Sequence, residues 1–356
     1  MNKINMRKLG FSDAFSAEAQ LYPNLYIGRV SSQSKDLYKV LSEEVELIAE
    51  VSGKFRYETK IQSDYPAVGD FVMIDRKSDI EGNGIIHAVL KRKSAFIRKM
   101  AGTSNQEQIV AANIDTIFLC MSLNNDFNLR RLERYLVIAW ESGAVPVIIL
   151  TKSDLCDDIE DKLYSIDKIA VGVDILVTSS MNGDGDQAVK AYMKAGKTIA
   201  FIGSSGVGKS TLINRLIGEE HFATRGLRND DKGRHTTTRR ELLLLPDGGI
   251  VIDTPGMREL GLENADLSKT FVDIEELASL CKFGNCTHTN EPKCAVQGAI
   301  ADGSISEERL ISYQKLKKEM NYDGLNAKEI EAVKINQMFG SKANLKSLKK
   351  AVKEKK

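Results

Sequence analysis

The sequence predicts a three-part chain: a small antiparallel β barrel, an α/β unit built on a parallel sheet, and a short metal-binding segment leading into charged helix. Three observations carry this. Short alternating runs separated by turn signals fill residues 24–100. From about residue 110, longer apolar runs alternate with helical sequence. After residue 270 the strand pattern stops and a Cys/His cluster appears.

The bounds are those of an ordinary soluble protein. A chain of 356 residues has room for two or three domains. The apolar fraction of 42% and charged fraction of 28% are globular values, and a net charge of +1 says nothing about partners. No run of about 18 apolar residues is present, which argues against a membrane span. The start, MNKINMRKLGFSDAFS, lacks the apolar core of a signal peptide. Five cysteines, three of them within 281–294, point to a metal in a reducing compartment rather than a disulfide framework. A cytoplasmic, monomeric protein is expected.

The expected division is 1–23 as an N-terminal extension, 24–100 as the barrel, 101–265 as the α/β domain, and 266–356 as a metal-binding domain with a helical, lysine-rich tail. In the barrel, LYIGRV, EVELIAEV, DFVMIDR and GIIHAVL read as strands, punctuated by SGK, PAVGD and EGNG. RKMAGTSNQEQIVAAN reads as the join to the next domain. There, DTIFLCMSL, VPVIILT, DILVTS, KTIAFIG, ELLLLP and GIVIDTPG read as buried strands. Helical segments such as LRRLERYLVIAWESG separate the first four, so a parallel sheet covered on both faces is expected. Cys120, in FLCMSL, reads as core.

The strongest motif is GSSGVGKST, Gly203 to Thr211. Gly203, Gly208, Lys209 and Ser210 fit the phosphate-loop pattern, with an apolar strand before and a helix-like TLINRLIG after. Glycines let backbone amides of the loop (Ser204, Ser205, Gly206, Val207) and the helix N-terminus face phosphate. Lys209 would reach the β- and γ-phosphates and the Ser210 hydroxyl would ligate Mg²⁺. The pattern alone does not separate GTP from ATP. DTPG ends a later apolar strand, so Asp253 can hold a Mg²⁺-bound water and the Gly256 amide can sense the γ-phosphate. Between them lies GRHTTT, where a threonine can complete the Mg²⁺ shell as a switch that orders with the triphosphate. Thr237 is favoured, with Thr236 and Thr238 open.

IILTKSDL comes before the phosphate loop, yet Thr151, Lys152, Ser153 and Asp154 look like a guanine-reading element. A fixed carboxylate accepts from guanine N1–H and N2–H₂, a donor pair adenine lacks. The Lys152 stem would lie over the base, and Ser179 in TSS follows a further strand from which an amide can approach O6. All these loops follow strand C-terminal ends, where open α/β sheets bind ligands. Their order is therefore a circular permutation of the GTPase order, which nearby surface termini make tolerable. The permutation sends the chain from DTPG directly toward the Cys/His cluster.

That cluster is Cys281, Cys286, His288 and Cys294. Three thiolates and one imidazole make a closed tetrahedral set for one structural Zn²⁺. The competing readings are unliganded buried thiols and redox cysteines. A basic run, Lys91, Arg92, Lys93, Arg98 and Lys99 with Phe96 interleaved, together with the lysine-rich tail, offers salt-dependent RNA contacts.

Taken jointly, the permuted order, RKSAFIRKMAGTSNQEQIVAANID, GSSGVGKSTLIN, GRHTTT, DTPGMRELGL and the cysteine–histidine pattern resemble the ribosome small-subunit-dependent GTPase A family. These are permuted GTPases that act in assembly of the bacterial 30S subunit. The resemblance spans about residue 24 to about 320. It implies an N-terminal OB barrel, a permuted GTPase domain and a C-terminal zinc domain. It also implies GTP hydrolysis stimulated by the 30S subunit and coupled to release, with 16S rRNA as a partner and no membrane. Two departures stand out. Thr151 replaces the family's usual asparagine, which puts the bracing of the phosphate loop in question. Met257 stands where Ras-like enzymes carry the water-orienting glutamine, and the resemblance hands that task to His235. Alternatives are a permuted GTPase of the large subunit, disfavoured by Gly206 and the metal pattern, and an RNA-binding scaffold with an inactive GTPase domain.

Overall fold

The computed structural model describes residues 4–78, 82–99, 107–218, 241–246, 248–253 and 266–321. The first strand, β1 (Tyr26–Ser34), bends at a bulge between Val30 and Ser32, which lets one strand serve two neighbours. It pairs with β2 (Leu37–Leu41) on one side and β4 (Phe71–Ile74) on the other. With β3 (Glu46–Val51) and β5 (Gly84–Val89), the order β1-β2-β3-β5-β4-β1 closes a five-stranded barrel. Closure leaves the barrel without free edges. The expected barrel is thus present, with two differences. The β3–β5 pairing is parallel, and β2 was not anticipated from sequence. Helix α2 (Gly53–Glu58) follows β3, its Ser52 cap accepting from the Phe55 amide. The barrel interior is Val30, Val40, Leu47, Val72, Ile74 and Ile86, alternate residues of their strands.

The N-terminal extension is structured where described. Helix α1 (Asp13–Ala19) sets Phe15 on Phe71, ring centroids 4.5 Å apart, on the barrel's outer face. Beneath it, Arg29 joins three segments. Its guanidinium donates to the Leu9 carbonyl, the Gly69 carbonyl and Thr198 Oγ1, and lies over the Phe71 ring. Burial pushes it down to about 10, so it stays charged at neutral pH. Gly69, at φ +94°, belongs to this junction. A Cβ there would stand 2.2 Å from the Ala112 carbonyl, so only glycine fits.

The segment expected to join the domains folds as a hairpin, β6 (Ala95–Lys99) with β7 (Glu107–Ala112). This corrects the reading of the basic run. Phe96 is buried, Arg92 is clamped on Asp70 at 2.7 Å and on the Ser63 and Tyr65 carbonyls, and Lys93 pairs with Asp115 at 2.8 Å. Arg92, Lys93 and Phe96 therefore hold the junction rather than forming a free interleaved face. The side chains of Arg98 and Lys99 and the tail from residue 322 lie outside the described residues.

The α/β sheet runs β10 (Asp174–Val177), β9 (Val145–Thr151), β8 (Thr116–Ser122), β11 (Thr198–Gly203), β13 (Ile250–Asp253), all parallel. Strand β12 (Glu241–Leu244) completes it antiparallel to β13 and touches the barrel at one rung, Ser32 opposite Glu241. ELLLLP was expected as a buried strand like the others. Of the four residues in β12 only Leu242 is buried, with Glu241 and Leu244 exposed.

Alternation along β8 decides the layers. Ile117 and Leu119 face α3 (Leu129–Ser142), while Phe118 and Cys120 face α6 (Lys209–Ile217). Helix α4 (Ile159–Asp167) adds Leu163 to the first layer and α5 (Asp186–Lys190) adds Val189 to the second. Helix α3 starts at Asn128, whose side chain accepts from the Arg131 amide at 3.0 Å, and stops at Gly143, φ 82°. The C-terminal helices α7 (Val272–Ser279), α8 (Ala295–Ala301) and α9 (Glu307–Asn321) share the α3-side core through Phe271, Ile274, Val296 and Tyr313. Each such side chain buried contributes about 1.5–3 kcal/mol. A buried polar seam fixes the register: Arg309 bonds Glu133 of α3 at 2.8 Å, Asp273 at 2.5 and 2.7 Å, and the Thr270 carbonyl.

Candidate functional site

The phosphate loop leaves β11 at Gly203, which the neighbouring strand requires. A Cβ there would lie 2.7 Å from the Cys120 carbonyl. Gly206 and Gly208 take φ of 73° and 105°, turning the backbone before α6 begins at Lys209. Val207 is buried in the α6-side core and anchors the loop, while Ser205 and Gly206 are exposed. Lys209 Nζ donates to the carbonyls of Gly203 at 2.7 Å and Ser204 at 2.8 Å, so the ammonium spans the loop. Ser210 and Thr211 occupy the first turn of α6.

The 151–154 loop, expected to read the base, is brought against it. β9 ends at Thr151, whose hydroxyl donates to the Val207 carbonyl at 2.5 Å. The bracing put in question by the missing asparagine is therefore present, supplied by a shorter side chain. Lys152 takes a left-handed turn, φ 59°, and Ser153–Leu155 form one 3-10 turn that presents Asp154. Ser179 Oγ donates to Asp154 Oδ1 at 2.6 Å, and the Ser153 amide donates to the Thr178 carbonyl. Arg215 of α6 donates to the Ser179 carbonyl at 3.2 Å and pairs with Asp186 at 2.8 Å. The structure thus draws Thr151, Asp154, Ser179 and 203–211 together at one end of the sheet.

Asp253 ends β13 at that same end, two places from Gly203 in the β11–β13 register. His235, Thr237, Gly256 and Met257 lie outside the described residues. Sequence reasoning missed Asp126, in the β8–α3 loop. Its Oδ2 accepts from Ser204 Oγ at 2.6 Å and from Arg131 at 2.7 Å. A lone aspartate in NNDFN carries no motif; only the fold places it beside the phosphate loop.

The Cys/His cluster has the spacing of a metal site. Bonds of about 2.3 Å to sulfur and about 2.0 Å to nitrogen in a tetrahedron set ligand atoms about 3.8 Å (S–S) and about 3.5 Å (S–N) apart. Cys281 and Cys294 Sγ are 3.8 Å apart, and His288 Nδ1 stands 3.6 and 3.4 Å from them. All four donor atoms, Cys286 included, lie within 4.8 Å of one another. The fit is to a four-coordinate ion bound through Nδ1. His288 reaches it from a left-handed backbone, φ 58°, and its carbonyl accepts from Gln297 at 2.7 Å. Glu291 gathers the amides of Thr287, Thr289 and Asn290, and the Thr287 hydroxyl, into a rigid turn. These bonds, the hydroxyl's first, hold its carboxyl down to about 2. Cys120 is separate: burial pushes its thiol up to about 12, as befits a core residue.

Comparisons with known proteins agree with this geometry. The sequence profile of the RsgA GTPase family matches residues 89–263. A protein of Lactiplantibacillus plantarum named small ribosomal subunit biogenesis GTPase RsgA 2 is 49% identical over 349 residues, 97% of this chain and 98% of that one. A Listeria innocua protein named small ribosomal subunit biogenesis GTPase RsgA 1 is 44% identical over 320 residues, 89% and 90% of the two chains. Among solved structures, YjeQ from Thermotoga maritima superimposes with a TM-score of 0.61 at 29% identity, covering 83% of this chain and 98% of that one. YloQ, described as a circularly permuted GTPase, gives 0.58 at 28%, covering 84% and 96%. With sequence identity of 44–49% across nearly the full length of such relatives, the chain belongs to the RsgA GTPase family.

Proposed function

We propose that this protein is a GTPase of small ribosomal subunit biogenesis, whose hydrolysis is stimulated by the 30S subunit and coupled to its release. The observation that carries the nucleotide-binding part of the reading is the Thr151–Val207 bond, which ties the 151–154 loop to the phosphate loop although 56 residues separate them. In this reading Asp154 accepts from guanine, with its carboxylate oriented by Ser179, and Lys152 covers the base. The amides of 203–209 and the Lys209 ammonium bind the phosphates. Ser210, Thr237 and Asp253 hold Mg²⁺, directly or through water, and Gly256 reports the γ-phosphate. His235 positions the attacking water, since the Met257 thioether cannot. Zn²⁺ at Cys281, Cys286, His288 and Cys294 is structural, because four protein donors leave no open position. The division at residues 24, 101 and 266 into an extension and three domains, a cytoplasmic monomer, and contact with 16S rRNA belong to the same reading.

The test is GTP turnover with purified 30S, 50S or no subunits. Stimulation by 30S alone is expected. Stimulation by 50S would favour a large-subunit factor, and no turnover under any condition would favour a scaffold. His235→Ala should abolish the stimulated rate and leave nucleotide binding intact; normal stimulation would reject the role given to His235.

A further inference from the structure

The phosphate loop is held from both limbs by the rest of the chain. On the C-terminal limb, the Val207 carbonyl accepts from Thr151. On the N-terminal limb, Ser204 is fixed twice: its carbonyl accepts from Lys209, and its hydroxyl donates to Asp126 at 2.6 Å. Asp126 is itself well secured. Arg131 donates to the same carboxylate oxygen at 2.7 Å, and the Asp126 amide donates to Asn124 Oδ1 at 3.1 Å. Asn124 Oδ1 also accepts from Ser122 at the end of β8. The bonds from Arg131 and Ser204 hold the Asp126 carboxyl below the usual carboxylate range.

A carboxylate placed beside an anion-binding loop needs a reason, because it works against the incoming phosphates. Arg131 offsets its charge, and what remains is an acceptor aimed at the loop's first serine. We infer that Asp126 is a positioning residue for nucleotide binding, tethering Ser204 so that the phosphate loop is ordered before the ligand binds. The inference rests on the proposal that 203–211 binds the phosphates of GTP. A loop ordered in advance spares the ligand the cost of ordering it. The effect falls on the phosphates that GDP and GTP share, and leaves guanine selection to Asp154.

The test is equilibrium binding of fluorescent GDP and of a non-hydrolysable GTP analogue to the full chain. Asp126→Ala and Ser204→Ala are each expected to weaken both ligands about tenfold. The double variant should be no weaker than either single, since both remove one interaction. Asp126→Asn keeps an oxygen acceptor for the hydroxyl and should stay within about threefold of wild type. Far-UV circular dichroism matching wild type certifies each fold. Wild-type affinity in Asp126→Ala, or multiplied losses of about a hundredfold in the double variant, would overturn the tether. Failure of the wild-type chain to bind guanine nucleotide would instead overturn the proposal beneath it.

Discussion

Replacing Arg309 by methionine should release α9 from the GTPase domain. Arg309 is nearly buried and reaches three partners: Glu133 on α3, Asp273 on α7 and the Thr270 carbonyl. It also lies over the Phe271 ring at 4.8 Å. Methionine keeps much of the volume and removes every donor. Asp273 is 35% exposed and can turn to water, but Glu133 is fully buried. Removing one partner of a buried pair costs about 3–5 kcal/mol. Glu133 retains Arg130 and Ser312 as partners, so the lower end, about 3 kcal/mol, is expected. That corresponds to roughly a 150-fold rise in local opening. Hydrogen exchange resolves it where a global melting curve would not, because a chain of several domains need not unfold in two states. Peptides spanning 307–321 should exchange about 150-fold faster, with barrel peptides unchanged. Exchange there within about threefold of wild type would refute the assignment of this seam as the anchor of α9.

Other consequences are as direct. Thr151→Ala should weaken guanine nucleotide binding about five- to tenfold by removing the tie to Val207, while Thr151→Ser, which keeps the hydroxyl, stays near wild type in the same titration. Cys294→Ser should drop bound zinc from about one ion per chain, measured by plasma emission, and speed exchange across 272–301, since metal binding supplies folding energy there. Burial opposes ionisation of Asp115, but bonds from Lys93 and the Thr198 amide overcome it and hold the carboxyl below its ordinary value. Its stabilisation of the barrel junction is therefore full above the unfolded value of about 3.9 and is lost as pH falls through the lower folded one. Exchange at 93–99 and 112–116 should be flat from pH 5 to 8 and, corrected for intrinsic rates, rise only below about pH 4.

Legibility in the sequence followed chemistry. Gly203, Lys209, Asp154 and the Cys/His set are residue types whose spacing already states a task, so their convergence was readable despite the permuted order. Conformation-driven parts were not. Leu37–Leu41 is five residues long and broken by Lys39 at its centre, too short to stand out from a loop. The β6–β7 pairing joins segments that are not adjacent in sequence, and Arg92 reads as surface because nothing local reveals Asp70 as its neighbour in space. The Thr151 hydroxyl occupies the place of an expected amide; whether it reaches Val207 depends on how closely β9 and the phosphate loop approach, a tertiary distance no motif encodes.

Strand β12 belongs to two bodies at once. Four of its residues zip onto β13, and its first residue also rests on the barrel wall at Ser32. Residue 240, the last before β12, closes the stretch that contains GRHTTT, and β13 leads into DTPG. Strands β12 and β13 form one ladder, and the Ser32 rung ties that ladder to the barrel wall. A force on the barrel wall at Ser32 therefore passes into the parallel sheet through β12 without crossing a loop.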